Sequence, residues 1–188
     1  HDGIIYLIRS DVAAFEVDST AIRNGVFIFK GQIGEPEYAE LLLYSCPFSE
    51  YEAPIFIESA NMKVTGDIDN FRYLYLSGSA AEKDFRNLVD MKKDSRLRLN
   101  NLKAKLETVN LEIAAANGKS DSLQNLTERL SRQEPLIENE LSVSDSLFIT
   151  RFPNSYVTAY LINNNLKIER FTLSNVDSLY ASMPERVQ

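Results

Sequence analysis

The chain has 188 residues, a net charge of −7 and 44% hydrophobic residues, a size and composition typical of globular proteins with one good core or two small subdomains. The negative charge argues against a nucleic-acid partner, because phosphate binding needs a clustered positive surface. No apolar run approaches the ~20 residues of a membrane helix, so we predict no membrane-spanning segment. With one cysteine, Cys46, and one histidine, His1, the chain lacks the residues for an internal disulfide, a C-x-x-C redox pair or a cysteine-rich zinc site, and a Cys–His or Ser–His catalytic pair is not expected.

The first 78 residues have the pattern of an antiparallel β domain. Short apolar or alternating runs are separated by turn residues every eight to twelve positions or so, which is typical of such domains. Arg23-Asn24-Gly25 indicates a hairpin turn, because Asn-Gly tolerates positive φ angles. The run that follows it, 26–31, is apolar on both faces, so we expect both faces to be covered. The predicted strands are 3–9, 13–17, 26–31, 38–44, 54–58, 62–65 and 71–76, with a loop over 45–52.

After Ser79 the apolar residues recur every three or four positions, which predicts helices. Ser79 is the expected N-cap of the first helix, with Glu82 as the other half of a capping box. The apolar stripe of this helix runs from Phe85 to Ile113 and is interrupted by Lys92 and Ser95. A short turn, 117–120, makes the next helix antiparallel, and the two stripes then face each other as in a coiled-coil hairpin.

The second half of the hairpin contains Pro135, which is expected to kink or split its helix. A third helix is predicted over 156–162, with the run Asn163–Asn165 as a breaker, and a final helix begins after Ser174. The fold class is therefore α+β: an antiparallel β-sandwich-like half (1–78), then a helical half (79–188) with a long αα-hairpin at about 82–152 and two short C-terminal helices.

No motif in the sequence predicts an active site. Neither G-x-G-x-x-G nor G-x-x-x-x-G-K occurs, so a nucleotide phosphate has no cradle. Asp67-Ile68-Asp69-Asn70 begins like a calcium loop, but Phe71 stands where an oxygen ligand is needed, so we interpret it as a turn. We therefore predict no catalytic residue, no metal site and no cofactor.

Tyr73 and Tyr75 are the candidate binding residues. On a strand they would share a face with Phe71, which could stack on a sugar or a base; the alternative is that this face is core beneath a helix. The hairpin offers a second candidate surface, for a partner helix or for a homodimer, although packing of its two helices against each other explains the same stripe.

Several segments in order carry a family resemblance, and they extend over nearly the whole chain: 23–31, 73–79, 152–161 and 179–188. The chain resembles the uncharacterised N-terminal domain that precedes a thioredoxin-like domain in envelope thiol:disulfide interchange proteins (TlpA-type) of bacteroidete bacteria. In that family the redox C-x-x-C belongs to the thioredoxin-like domain, so the resemblance transfers no catalytic residue. It implies a periplasmic or membrane-anchored protein whose partners are its own thioredoxin-like domain or client proteins.

Four tripeptides match the short sequon for O-glycosylation in bacteroidete envelope proteins, although they also fit ordinary helix starts and turns. Three are Asp-Ser-Leu and one is Asp-Ser-Thr. The serines that would be modified are Ser19, Ser122, Ser146 and Ser178.

Three functions are compatible with these patterns. The first is a non-catalytic accessory domain that positions an oxidoreductase domain or recognises its client. The second is a module that binds a glycan or peptide on its aromatic sheet face. The third is a hydrolase, which would need two carboxylates about 5–10 Å apart in one pocket.

Overall fold

The computed structural model describes residues 3–10, 15–45, 49–116, 120–167, 177, 179–181, 183 and 184. The predicted α+β class is confirmed, with antiparallel strands first and helices after them. The strands are β1 Gly3–Ser10, β2 Phe15–Ile22, β3 Glu37–Ser45, β4 Ser49–Ile57, β5 Lys63–Thr65 and β6 Tyr75–Ser77, with a 3-10 helix at Ile68–Tyr73. The helices are α1 Ala80–Ala115, α2 Asp121–Ser131, α3 Glu134–Arg151 and α4 Tyr156–Lys167. The chain forms two compact units, His1–Arg86 with Asn154–Gln188, and Asn87–Pro153.

The first unit is built on a four-stranded antiparallel sheet in the order β2-β1-β3-β4. Ile5 of β1 lies opposite Thr20 of β2 and Leu43 of β3. Since successive side chains of a strand point to opposite faces, this register places one apolar set on one face. The 3-10 helix and the β5–β6 hairpin pack on that face and complete the core. Its buried members are Ile5, Ile22, Ala39, Leu41, Leu43, Ala53, Ile55, Ile57, Phe71, Leu74 and Leu76.

The predicted strand 26–31 is wrong. In this segment only Val26 makes a β-bridge, to Arg23, and the residues after it form no described strand. The turn before it is confirmed, because Asn24 and Gly25 have φ angles of 51° and 75°. The side chains do alternate as expected, since Phe27 packs on the core while Val26 is exposed. The expectation that both faces are covered is therefore also wrong.

Three further boundaries in the β half differ from the prediction. Strand β2 runs to Ile22 and not only to position 17. Strand β4 begins at Ser49, so 49–52 belongs to a strand and not to a loop. Phe71 lies in the 3-10 helix and not in the last strand, which is only Tyr75–Ser77. Asp67 starts that 3-10 helix, because its side chain accepts a hydrogen bond from the Asp69 backbone N–H at 3.3 Å. Cys46 and His1 lie outside the described residues.

The second unit contains the predicted helical hairpin. Ion pairs join Lys92 to Asp145 and Lys103 to Glu134, so residue numbers rise on α1 as they fall on α3, and the two helices are antiparallel. Ser95 donates to Glu140 at 2.8 Å. The two residues that interrupt the apolar stripe of α1 therefore have polar partners on α3. The buried core of the hairpin contains Leu99, Leu102, Ile137 and Leu141.

The return half of the hairpin is split as predicted. Helix α2 ends at Ser131 and α3 begins at Glu134, with Pro135 in its first turn, where the missing N–H costs no helical hydrogen bond. Ser120 caps α2 by accepting from the Leu123 backbone N–H at 3.4 Å. Residues 117–119 of the predicted turn lie outside the described part of the chain.

The prediction that Asn163–Asn165 breaks the third helix is wrong, because α4 continues to Lys167. Asn165 is buried, and its side-chain amide donates to the Leu161 carbonyl at 2.9 Å. This bond satisfies the amide inside the helix, so the residue does not end it. Most of the predicted final helix after Ser174 lies outside the described residues.

Gly78 is the position between β6 and α1 where we expect a side chain to be costly. Its φ angle is +92°, and an added Cβ would clash with the Asn61 carbonyl oxygen and lie 3.2 Å from the Met62 Cα. Gly78→Ala should therefore lower the free energy of unfolding by about 1–3 kcal/mol. Urea denaturation measures this, with Gly34→Ala as control, since an added Cβ there meets nothing within 4 Å. Equal effects of the two substitutions would contradict the prediction.

Candidate functional site

A cleft of about 430 Å³ lies between β4 and the 3-10 helix of the first unit. Two successive residues of β4, Tyr51 and Glu52, form one side of it. Six successive residues form the other: Ile68, Asp69, Asn70, Phe71, Arg72 and Tyr73. The cleft therefore combines aromatic rings with carboxylate, amide and guanidinium groups.

The structure places the two predicted tyrosines differently. Tyr73 ends the 3-10 helix, lines the cleft and is 62% exposed. Tyr75 lies on β6, is 69% exposed and is not among the residues that line the cleft. The interpretation of this pair as core is wrong, and so is the expectation that both share a strand face with Phe71, which is buried in the 3-10 helix.

The polar side chains around the cleft have no described hydrogen-bond or ion-pair partner. Within the described part of the chain, no hydrogen bond or ion pair involves the side chains of Glu52, Asp69, Asn70 or Arg72. The sequence did not indicate these residues as a group. Asp67 followed by Asp69 could have indicated the helix start that contains Asp69 and Asn70, because an aspartate side chain commonly accepts from the backbone N–H two positions later, but no such signal points to Glu52.

Two aromatic residues of the cleft, Tyr51 and Phe71, are packed in the core. Tyr51 packs partly buried against the core, and its ring lies 6.2 Å from the ring of buried Phe71 at a tilt of 60°. The φ and ψ angles of Asn70, −126° and 33°, interrupt the 3-10 helix between Asp69 and Phe71. This kink separates the polar start of the helix from its buried aromatic residue.

Among the described residues of the first unit, Glu82 has a fully buried carboxylate and is therefore a candidate for chemistry. Its carboxylate accepts hydrogen bonds from the Phe56 backbone N–H at 2.6 Å and from Arg86 Nε. Arg86 in turn donates to the Pro54 carbonyl at 2.6 Å. Glu82 is not among the residues lining the cleft, so its role is to join the start of α1 to β4.

The start of α1 is also capped by two other side chains. Ser79 Oγ accepts from the Glu82 backbone N–H at 2.9 Å, as the N-cap prediction requires. Glu58 accepts from the backbone N–H groups of Ala80 and Ala81 at 2.8 and 3.4 Å. The predicted reciprocal half of the capping box is wrong, because the Glu82 carboxylate is used by β4 and Arg86.

Burial raises the pKa of Glu82, while the hydrogen bond from Phe56 and the Arg86 guanidinium lower it by less. A carboxyl group with a raised pKa in the folded state binds its proton more tightly there than in the unfolded chain. Its contribution to stability is therefore present below the ordinary glutamate pKa and is lost as the pH rises through the raised value.

From this sign we expect the wild-type chain to lose stability relative to Glu82→Gln as the pH rises from about 4 to about 8. Urea denaturation of both proteins at several pH values measures the difference, in which the other carboxylates cancel. A difference that is flat, or that increases in favour of the wild type, would contradict the raised pKa.

An aromatic cluster lies on the opposite face of β3 and β4, away from the core already described. Tyr38 stacks on Tyr160 of α4 with ring centroids 4.8 Å apart, and Phe56 and Phe85 pack edge-on or tilted against them. The Tyr38 hydroxyl donates to Glu40 at 2.6 Å, and burial raises the pKa of Tyr38. Because these rings contact one another, this cluster is packing and offers no free aromatic face.

In the hairpin unit, α1 and α3 each carry exposed apolar residues in addition to those buried between the helices. On α3 the exposed residues Leu136, Val143 and Leu147 recur at steps of seven and four, and on α1 Leu97 and Leu111 are exposed at a step of fourteen. These spacings place each set on one side of its helix. A homodimer through the hairpin stays a prediction.

Three of the four candidate glycosylation serines lie within the described residues, and all three are exposed: Ser19 on β2, Ser122 in the first turn of α2 and Ser146 on α3. The Ser146 hydroxyl donates to the Ser142 carbonyl at 3.1 Å. Ser178 lies outside the described residues.

Among the described residues, no three His, Cys, Asp or Glu side chains group as a metal site would require. Over the same part of the chain, none of the helices is long and apolar enough to cross a membrane.

The comparisons with known proteins concern the first unit. Residues 1–85 match the family model described as Domain of unknown function (DUF4369), and that description names no activity. No curated protein and no solved structure matches the chain. The matched range contains the sheet, the β5–β6 hairpin and every residue of the cleft. Residues 1–85 of this chain are therefore similar to an uncharacterised domain family.

Proposed function

We propose that this chain is a non-catalytic accessory domain that binds a ligand or partner through the cleft around Tyr73. The observation that carries the proposal is the exposed Tyr73 ring beside four polar side chains that make no hydrogen bond or ion pair among the described residues. Large aromatic surface and free hydrogen-bonding groups are what a binding site requires before its ligand arrives. The ligand classes that fit the sequence interpretation are glycans and peptides.

Differential scanning fluorimetry of the full chain tests the proposal. Soluble oligosaccharides and unstructured peptides are added separately at increasing concentration, and at least one class should raise Tm, because a ligand that binds only the folded state stabilises it. Tyr73→Ala should remove the shift, provided that its own Tm without ligand is close to that of the wild type. No shift with either class, or a shift that survives Tyr73→Ala, would contradict the proposal.

The accessory role extends this proposal to a neighbouring oxidoreductase. It is supported by the resemblance of segments such as 23–31 and 73–79 to the domain that precedes a thioredoxin-like domain in bacterial envelope proteins. In this role the chain positions the oxidoreductase domain or presents its client, in the periplasm or at the membrane surface.

Two observations test the accessory role. Sequencing of the gene beyond the codon for Gln188 should find a C-x-x-C motif within about a hundred residues, the length of one small domain. The isolated chain should not accelerate reduction of insulin disulfides by dithiothreitol, with thioredoxin as the positive control. Reduction at a thioredoxin-like rate would contradict a non-catalytic role.

A further inference from the structure

We propose that the ligand of the cleft around Tyr73 is a neutral oligosaccharide. This inference rests on the proposed binding function and names the ligand class of the same site. It follows from three properties of the cleft. Its aromatic residues include Tyr51 and Phe71, which pack in the core, and the exposed Tyr73. Its polar side chains include both hydrogen-bond donors and acceptors, and they carry charges of both signs.

The cleft offers an exposed aromatic ring on which a sugar ring can pack. Phe71 is buried and holds Tyr51 at a ring distance of 6.2 Å, while Tyr73 stands exposed at the mouth of the same cleft. A tyrosine ring has a broad apolar face and loses little conformational entropy on binding. The C–H face of a pyranose can therefore pack on Tyr73 without displacing core residues.

The polar side chains of the cleft supply both acceptors and donors. Glu52 and Asp69 are acceptors when ionised, Arg72 is a donor only, and Asn70 is both. A hydroxyl group donates one hydrogen bond and accepts two, so neighbouring sugar hydroxyls can satisfy carboxylate and guanidinium groups together. Hydrogen bonds to charged groups are stronger than those between neutral groups, so they can hold a ligand in a site that is open to water.

The same side chains disfavour other ligands. A phosphate or another strongly anionic group would face the carboxylates of Glu52 and Asp69. A purely apolar ligand would cover these charged groups without replacing their bonds to water, which is unfavourable. A ligand with an apolar face and an uncharged hydroxyl edge meets none of these penalties.

The local backbone places three of the polar side chains, Asp69, Asn70 and Arg72, on one rim of the cleft. Asp67 caps the 3-10 helix, and the kink at Asn70 follows directly, so Asp69 and Asn70 lie at its start and Arg72 and Tyr73 at its end. Asp69, Asn70, Arg72 and Tyr73 line the side of the cleft that lies opposite β4. The rim is therefore short, since it consists of the six successive residues 68–73.

NMR titration of the ¹⁵N-labelled full chain tests the inference. The neutral probes are maltohexaose, cellohexaose, xylohexaose and mannohexaose; the comparison probes are a heparin hexasaccharide and an unstructured, uncharged hexapeptide. At least one neutral probe should cause saturable shifts at residues 51–52 and 68–73. Tyr73→Ala should raise the Kd of that probe at least about tenfold.

Tyr75→Ala is the matched control, because this tyrosine is as exposed as Tyr73 and does not line the cleft. Its Kd should stay within about twofold of the wild-type value, as expected for a surface change away from a site. Saturable shifts with the hexapeptide alone would overturn the oligosaccharide but leave the binding function standing. Binding of heparin alone would overturn the requirement for a neutral ligand, and no saturable shift with any probe would overturn both proposals.

Discussion

Replacing Glu82 by alanine is expected to lower the free energy of unfolding by about 3–5 kcal/mol, because the buried Phe56 N–H and the charged Arg86 both lose their acceptor. The carboxylate is fully buried and accepts from the Phe56 backbone N–H and from Arg86. Without it, the Phe56 N–H loses its acceptor and the Arg86 guanidinium is held beside β4 without a counter-charge. The Phe56 N–H would remain buried and is costly to leave unpaired, while the Arg86 side chain is 25% exposed and would keep partial contact with water.

Two further variants separate this effect from a general effect on α1. Glu107→Ala removes an exposed glutamate from the same helix and should change the free energy of unfolding by less than about 0.5 kcal/mol. Glu82→Gln keeps an acceptor for Phe56, so it should cost less than alanine. Urea denaturation followed by circular dichroism at pH 7 measures all three, and a loss below about 1 kcal/mol for Glu82→Ala would contradict the argument.

Breaking the ion pair between Lys92 and Asp145 in the hairpin is expected to have an effect of similar size. The two side chains are only 12% and 5% exposed. Asp145→Ala should lower the free energy of unfolding by about 3–5 kcal/mol, because the buried Lys92 ammonium loses the Asp145 carboxylate. The desolvation of both charges is costly even in the wild type, so the pair need not be stabilising overall.

The double variant Lys92→Met with Asp145→Leu tests that distinction. It removes both charges and fills the space with apolar atoms, so its stability should be equal to that of the wild type or higher by about 1–4 kcal/mol. Glu140→Ala is the exposed control: its pair with Arg98 is about half exposed, and the expected loss is below about 1 kcal/mol. A double variant as unstable as Asp145→Ala would show that the charges themselves stabilise the hairpin.

The sequence predicted those features of the fold that depend on neighbours in the chain. The helix start at Ser79, the split at Pro135 and the turn at Asn24-Gly25 are local, and each is present in the structure. Periodicity also identified the seam of α1. It could not explain Lys92 and Ser95, because their partners are about 50 positions away on α3, and a polar residue in an apolar stripe acquires meaning only from what faces it.

The errors have the same physical origin. Alternation along Val26–Phe29 correctly indicated which side chains face the core, but it does not reveal whether a neighbouring strand supplies hydrogen bonds. Asparagine has low helix propensity, yet propensity is a weak prior that packing overrides, as buried Asn165 demonstrates.

The cleft was only half predictable. The aromatic content of 71–76 indicated Tyr73, but the strand assigned to it placed Phe71 on the same face. Glu52 and Arg72 line the same cleft although they are twenty positions apart in the sequence. No spacing rule connects a β-strand residue to a 3-10 helix residue at that separation, so only the three-dimensional arrangement reveals the site.

The segment that carries the cleft is tied at both of its ends. Glu58 holds the first backbone amides of α1, 22 positions further along the chain, and Glu82 holds the amide of Phe56. The intervening polypeptide is thus a closed loop, and its internal freedom is restricted before any ligand arrives. Under the binding function proposed above, Glu58 and Glu82 would preorganise the segment without lining the cleft, so substitutions at these two carboxylates would weaken affinity without altering the contact surface.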